Sequence, residues 1–308
     1  MNNPWKDLSR LTQIRVADTS NHNLYWFKDA FDSFGLLIQC RTGTFTESHS
    51  ITLKGIQIEI DNSVEPSKLL LILKDQEDWE IFKILCDDLI GVVSYELDDT
   101  LIIEELSKRL NRWQKLLQYE LKIGISIQKQ RGLFSELLLL KRFVAERYGY
   151  NEAVDCWTGP DHCKQDFICN DSAIEVKSYN SSRGRYVKVS SVDQLDSTKK
   201  NLYLAAVALS ENQQGEDISD VIEEIKMNLN FNTLLKFENK LGEYGYFPEI
   251  LQEPLQKYIA DTIYFYEVKE SFPRIIPVNI SSAINKVEYE INLSKCELFK
   301  ISSEEIIL

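Results

Sequence analysis

The segment QDFICNDSAIEVKS, residues 165–178, allows few folded forms. Two short apolar runs flank Asn170-Asp171, and both residue types tolerate left-handed backbone, so the pair reads as the turn of a β-hairpin. A two-residue turn sets the register: 169 faces 172, 168 faces 173, 167 faces 174, and Asp166 falls opposite Glu175. A four-residue loop keeps this register, whereas a three-residue loop shifts it by one. Side chains alternate along a strand, so Lys177 points the same way as Glu175, while Phe167, Cys169, Ile174 and Val176 form a core face. Opposed Cβ atoms lie about 4.5–5.5 Å apart, where two carboxylates repel. A cation between them would lift the repulsion, and carboxylate oxygens suit Mg²⁺. Lys177 alongside could hold a water and offset charge on a phosphate. The same residues also fit a solvated edge hairpin in which Lys177 simply pairs with Asp166 or Glu175.

Glu136 bears on that choice. In GLFSELLLLKRFVAERYG (132–149) the apolar residues recur with helical period, predicting a helix over roughly 132–148. At about 100° per residue Glu136 falls between Leu140 and Phe143, inside the apolar stripe. A carboxylate facing a core is costly unless paired or bound to metal. A helix packed on the following strands would aim Glu136 at the hairpin. The alternative is a residue at the stripe edge that reaches water or bonds Arg142 or Arg147.

Five short apolar or alternating runs precede this segment, TQIRV, LYWF, GLLIQC, IQIEI and LLLIL, and read as strands. Helical patterns come next, near 77–95 and 99–119. After the Trp-, Gly- and Pro-containing loop CWTGPDHCKQ come strands near 166–169, 173–179 and 185–190. A short helical segment SVDQLDSTKK then leads into the strand LYLAAVAL. Past 215 two helices precede the strands DTIYFYEV, FPRIIPV and KVEYEINL. The expected division is a β-rich part with linking helices at 1–120, a core at 121–215, and helices and strands at 216–308. LYLAAVAL, the longest unbroken apolar run, is far shorter than the roughly 20 residues of a membrane span. MNNPWKDLSRL has no apolar signal-peptide core. Six scattered cysteines without such a signal indicate free thiols and a cytoplasmic location. The net charge of −13 disfavours strong DNA affinity. Residues 121–200, however, carry 13 Lys and Arg against 10 Asp and Glu, leaving the acidity outside the middle third.

An inward Glu136, then Asp166, then IEVK with Glu175 and Lys177, in an αβββαβ order, resembles the PD-(D/E)XK nuclease superfamily. More closely, the chain resembles the bacterial family known as "PD-(D/E)XK motif protein". The likeness rests on GLFSELLLL, WTGP, DF, AIEVKS, VSSVDQLD and FPRI, and it covers nearly the whole chain. The resemblance implies an α/β (α+β) restriction-endonuclease-like core with a β-rich N-terminal domain and a C-terminal α+β extension. It implies a Mg²⁺-dependent endodeoxyribonuclease, with Mn²⁺ as a substitute, cutting DNA within a bacterial restriction-like defence system. Partners would be DNA, a helicase-like or MORC-like ATPase and a second copy of the chain, with no membrane. By position, Asp166, Glu175 and the backbone carbonyl of Val176 would hold the metal. Lys177 would position the water, Glu136 would be a further ligand, and Gln194 an auxiliary group. The Pro of the superfamily's name is missing, since Gln165 precedes Asp166. The rival reading is an assembly or regulatory subunit that keeps the fold and binds protein.

Weaker signals surround the core. Arg183, Arg185 and Lys188 could face phosphates or sit on a solvated hairpin tip. Ser190 and Ser191 could donate to a phosphate, or Ser191 could cap the next helix. Cys156, His162, Cys163 and Cys169 have spacings that match no common zinc site. No phosphate-binding loop of Walker type is present.

Overall fold

The computed structural model describes residues 2–17, 23–40, 53–94, 99–118, 125–161, 163–248, 254–281 and 283–308. The chain divides into two compact units, residues 1–123 and residues 124–248 with 252–308. The expected boundary at 120/121 lies outside the described residues.

In the first unit the five apolar runs become β1 (Gln13–Arg15), β2 (Asn23–Lys28), β3 (Phe34–Cys40), β4 (Ile56–Asp61) and β5 (Ser67–Leu73). They form one antiparallel sheet in the order β1-β2-β3-β5-β4. Helices α1 (Trp79–Ser94) and α2 (Asp99–Gln118) come after it. Leu36, Ile38, Leu69 and Leu71 of the sheet share a core with Phe82, Leu85, Leu89, Leu106, Leu110 and Trp113 of the helices. Trp5 locks the chain's start to it, stacking on Phe34 at 5.2 Å and donating its indole N–H to Gly35 O at 2.9 Å.

The second unit opens with α3 (Ile127–Leu139), whose Ser126 cap accepts from Lys129 N. It runs through one π turn (Leu140–Val144) into α4 (Ala145–Tyr148) and then α5 (Tyr150–Cys156). The strands are β6 (Phe167–Cys169), β7 (Ser172–Asn180), β8 (Tyr186–Val189) and β9 (Asn201–Glu216). Next come α6 (Ile218–Lys226), α7 (Phe231–Tyr244), β10 (Tyr258–Glu267), β11 (Tyr289–Asn292) and β12 (Lys300–Ile301). The main sheet has the order β12-β10-β9-β7-β6, with β7 and β9 parallel and the other pairs antiparallel. Residues 202–209 of β9 are nearly all buried, as a strand covered on both faces must be. The architecture is therefore the mixed α+β expected from the sequence. Among the described residues, no helix is long and apolar enough to cross a membrane, and no two cysteines are joined by a disulfide.

Four local differences have physical causes. Residues 190–200 form turns rather than a helix. The carbonyls of Asp193, Gln194 and Asp196, which a helix would bond within itself, accept from the Gln165 amide instead. Gln194 Oε1 accepts from Ser190 N at 2.9 Å, and Ser191 Oγ accepts from Asp193 N at 3.3 Å. β8 pairs with β11 in a separate two-stranded sheet, so the third strand of the hairpin region leaves the main sheet. FPRIIPV is not a strand; its last two residues open a short 3₁₀ turn, Pro277–Asn279, that starts with Pro277. Finally, α3 is more than one-sided: residues 133–140 are all buried, because the helix packs against both β7 and α6. Glu136 is thus inside the protein and not on a stripe edge.

Candidate active site at the end of the β6–β7 hairpin

The hairpin register is the one the turn chemistry dictates. Cys169 faces Ser172, Ile168 faces Ala173 and Phe167 faces Ile174, with Asn170 in the left-handed region at φ 50°. Both faces are covered. Ala173 and Tyr179, which share a face with Glu175 and Lys177, enter a core with Val187, Val189 and Leu195. The charged groups therefore stand within a packed layer.

The β6 ladder stops at Phe167, and Asp166 occupies the next position along that edge of β7. Its Oδ2 accepts the Val176 N–H at 2.7 Å, replacing the missing strand partner. In a strand the N–H and C=O of one residue point to the same side. The Val176 carbonyl is thus aimed at the same open edge as Asp166. The backbone of Asp166 is equally fixed: its carbonyl accepts from Thr158 N at 2.8 Å and Gly159 N at 3.0 Å.

Glu136 reaches this edge from α3. Its Oε2 accepts the Trp157 indole N–H at 2.8 Å, and its Oε1 accepts the Tyr244 hydroxyl at 3.1 Å. Gly159 is what lets the acids converge. A Cβ there would sit 2.7 Å from Glu136 Oε2 and 3.1 Å from Asp166 Oδ1. Glu175 is fully buried. Its Oε1 takes Lys177 Nζ at 2.5 Å, and its Oε2 is buried with no hydrogen-bond partner.

The electrostatics follow from this crowding. Burial first, then the charge of Asp166, pushes the Glu175 carboxyl up to about 8. Burial and Asp166 also hold Glu136 well above the usual carboxylate range, against the pull of its bonds to Trp157 and Tyr244. Asp166 is raised by burial, opposed by Lys177 and the Val176 N–H. Burial alone would lower Lys177, but Glu175, Asp166 and Glu136 outweigh it and hold the ammonium above its ordinary value. One cation thus sits among three acids.

Among the described residues, no three Asp, Glu, His or Cys side chains form a ready-made cation cage. The donor set nonetheless suits a hard divalent ion: Asp166 Oδ1 and Glu175 Oε2 take no hydrogen bond, and the second is an orphaned buried oxygen.

The outlying residues are placed differently. Gln194 stands in a turn, with Oε1 bonded to Ser190 and Ser191. Arg185 pairs with Glu297 at 3.0 Å and Lys188 with Glu288 at 2.7 Å, so both already have acidic partners. Arg183 is exposed at the end of a short 3₁₀ turn. The thiols of Cys156 and Cys169 perturb each other, the pKa of Cys156 being lowered and that of Cys169 raised, Cys163 is exposed, and His162 lies outside the described residues. From the sequence, Trp157 reads as a core plug. It is one, with no exposed surface, but it also donates to Glu136. Tyr244 and Lys240, one helical turn apart on α7, carry no motif that singles them out. Lys240 Nζ bonds Trp157 O and also Asp161 Oδ2 at 3.0 Å. Only their spacing marks them.

A family model described as "Putative PD-(D/E)XK family member, (DUF4420)" matches residues 1–294. Comparison with curated proteins gives no match, and comparison with solved structures gives none either.

Proposed function

Since the chain belongs to this family of PD-(D/E)XK relatives, we propose that it is a Mg²⁺-dependent endodeoxyribonuclease, with Mn²⁺ able to substitute. The observation that carries the reading is Glu175, a fully buried acid with one oxygen on Lys177 and the other unpartnered, beside Asp166. Burying such a group costs stability, and a fold keeps it where it has a use.

Asp166, Glu175 and the Val176 carbonyl are the groups that would hold the ion, with Glu136 next to them. When bound, Mg²⁺ supplies a Lewis acid for a phosphoryl oxygen and lowers the pKa of a water. The chain's own residues do the rest. Lys177 has three N–H donors and gives one contact to Glu175, so donors remain to orient a water and to offset charge on a phosphate. Trp157 and Tyr244 fix both oxygens of Glu136, which keeps that acid in one orientation beside Asp166. Gln194 keeps its amide N–H₂ available for substrate, since its bonds in the turn use only the carbonyl. Arg183 offers an exposed cation; Arg185 and Lys188 would exchange weak surface ion pairs for phosphates. The resemblance supports a place in the bacterial cytoplasm as the cutting subunit of a restriction-like defence system, beside a helicase-like or MORC-like ATPase.

The test is cleavage of supercoiled and linear DNA with Mg²⁺ or Mn²⁺. Cutting that is abolished by chelation and by Asp166→Ala or Lys177→Ala, in variants with unchanged circular dichroism, is expected. Equal cutting by the variants overturns the assignment.

A second reading, a non-catalytic assembly subunit that acts by binding protein, is favoured by two observations. Both Glu136 oxygens are already bonded and the acids form no ready-made cage among the described residues. Calorimetry with Mn²⁺ separates the two readings: binding that Glu175→Ala removes supports the enzyme, and no binding supports the subunit.

A further inference from the structure

The residue in front of Asp166 is a glutamine, where the superfamily's name has a proline. Gln165 is almost fully buried, 4% exposed, and its side-chain amide reaches across to the turn after β8. Nε2 donates to Asp193 O at 3.0 Å, Gln194 O at 3.3 Å and Asp196 O at 3.1 Å. Two hydrogens shared among three carbonyls make a forked bond. The fourth carbonyl of the same turn, Leu195 O, is taken by Arg274 from the FPRI segment. Lys164, one residue earlier, pairs with Asp193 at 3.0 Å. On its other side Gln165 O accepts the Thr158 hydroxyl at 3.0 Å.

These bonds join segments that are far apart in sequence. WTGP holds the backbone of residues 165 and 166, SSVDQLD receives the Gln165 amide, and FPRI closes the turn from behind. Proline at 165 would restrain the chain by fixing φ. Glutamine leaves φ free and restrains the chain from its side chain instead. The same contact explains why SVDQLD is a turn: a helix would use those carbonyls within itself.

We propose that Gln165 is a positioning residue, whose three-carbonyl clamp to the 193–196 turn holds Asp166 where its carboxylate meets the Val176 N–H and a divalent ion. The proposal deepens the nuclease reading and rests on it for the ion. The contact with Val176 stands without it.

The test therefore has two arms. Gln165→Met keeps the length and removes both donors, and Gln165→Glu keeps the shape and leaves at most one, on a protonated acid. In the first arm, amide hydrogen exchange is followed on the metal-free full chain with ¹⁵N-labelled valine. Val176 should exchange at least tenfold faster in both variants, while Val207 of β9 keeps its wild-type rate. In the second arm, Mn²⁺ affinity by calorimetry and the kinetics of DNA cleavage are measured. Ion affinity should fall on the order of 10- to 100-fold, the range for groups that support metal ligands. kcat should fall at fixed Mn²⁺ with KM for DNA unchanged, and high Mn²⁺ should restore much of it. A merely structural glutamine predicts the opposite: Val176 and Val207 accelerate together, or both are unchanged while only the melting temperature drops. Either result overturns the proposal. If wild-type protein neither binds Mn²⁺ nor cuts DNA, the nuclease reading fails, and the valine arm still decides whether Gln165 holds Asp166.

Discussion

Burial and the neighbouring Asp166 carry the Glu175 carboxyl to about 8, so below that pH the acid holds a proton. A divalent ion needs the carboxylate, and must displace that proton to bind. At pH 7 the protonated form outnumbers the ionised form about tenfold, and at pH 6 about a hundredfold. Apparent Mg²⁺ or Mn²⁺ affinity should therefore rise about tenfold per pH unit, about 1.4 kcal/mol, from pH 6 to 8. Above pH 8 it should level off. Calorimetry at pH 7 in two buffers of different ionisation enthalpy should show close to one proton released per ion. Stability should move with the same cause. Glu175 is protonated in the folded chain between the usual carboxylate range and about pH 8, but ionised in the unfolded chain. Metal-free stability thus falls with rising pH across that window, by on the order of 3 kcal/mol at pH 7 from this group. Saturating Mg²⁺ should flatten the slope. Affinity that is flat from pH 6 to 8, with no proton released, would refute the reasoning.

Gly159→Ala should place a methyl 2.7 Å from Glu136 Oε2, an oxygen already held in place. Calorimetry should show Mn²⁺ affinity lowered at least tenfold, with the fold retained. Trp157→Phe leaves a buried oxygen of Glu136 without its donor; thermal melts should show a loss of about 1–3 kcal/mol. Lys177→Met should leave a folded protein that no longer cuts DNA. The Glu175 titration, followed by carboxyl NMR, should move above about 8 once its cation is gone.

Much of this is legible in the chain because it depends on neighbours. Asn170-Asp171 set the hairpin register, the alternation places Glu175 and Lys177 together, and the helical period puts Glu136 among leucines. The features that escape a reading of the chain depend on distant partners. SVDQLDSTKK has helix-like spacing, but Gln165 and Arg274 take its carbonyls from elsewhere in the fold. β8 looks like a third strand of the hairpin, and only β11, about a hundred residues later, shows where it pairs. The supports of Glu136 come from the WTGP loop and from α7, and no local pattern ties either to residue 136. Arg185 and Lys188 read as a basic loop until Glu297 and Glu288 are placed beside them.

The central claim is that Asp166, Glu175 and the Val176 carbonyl share one divalent ion. Crystals soaked in Mn²⁺ and measured at the manganese edge test it most directly. An anomalous peak bounded by Asp166 Oδ1, Glu175 Oε2 and Val176 O, with Lys177 turned toward the adjoining solvent, is the predicted result. A saturating soak that leaves Glu175 bound only to Lys177, with manganese elsewhere or nowhere, would contradict it.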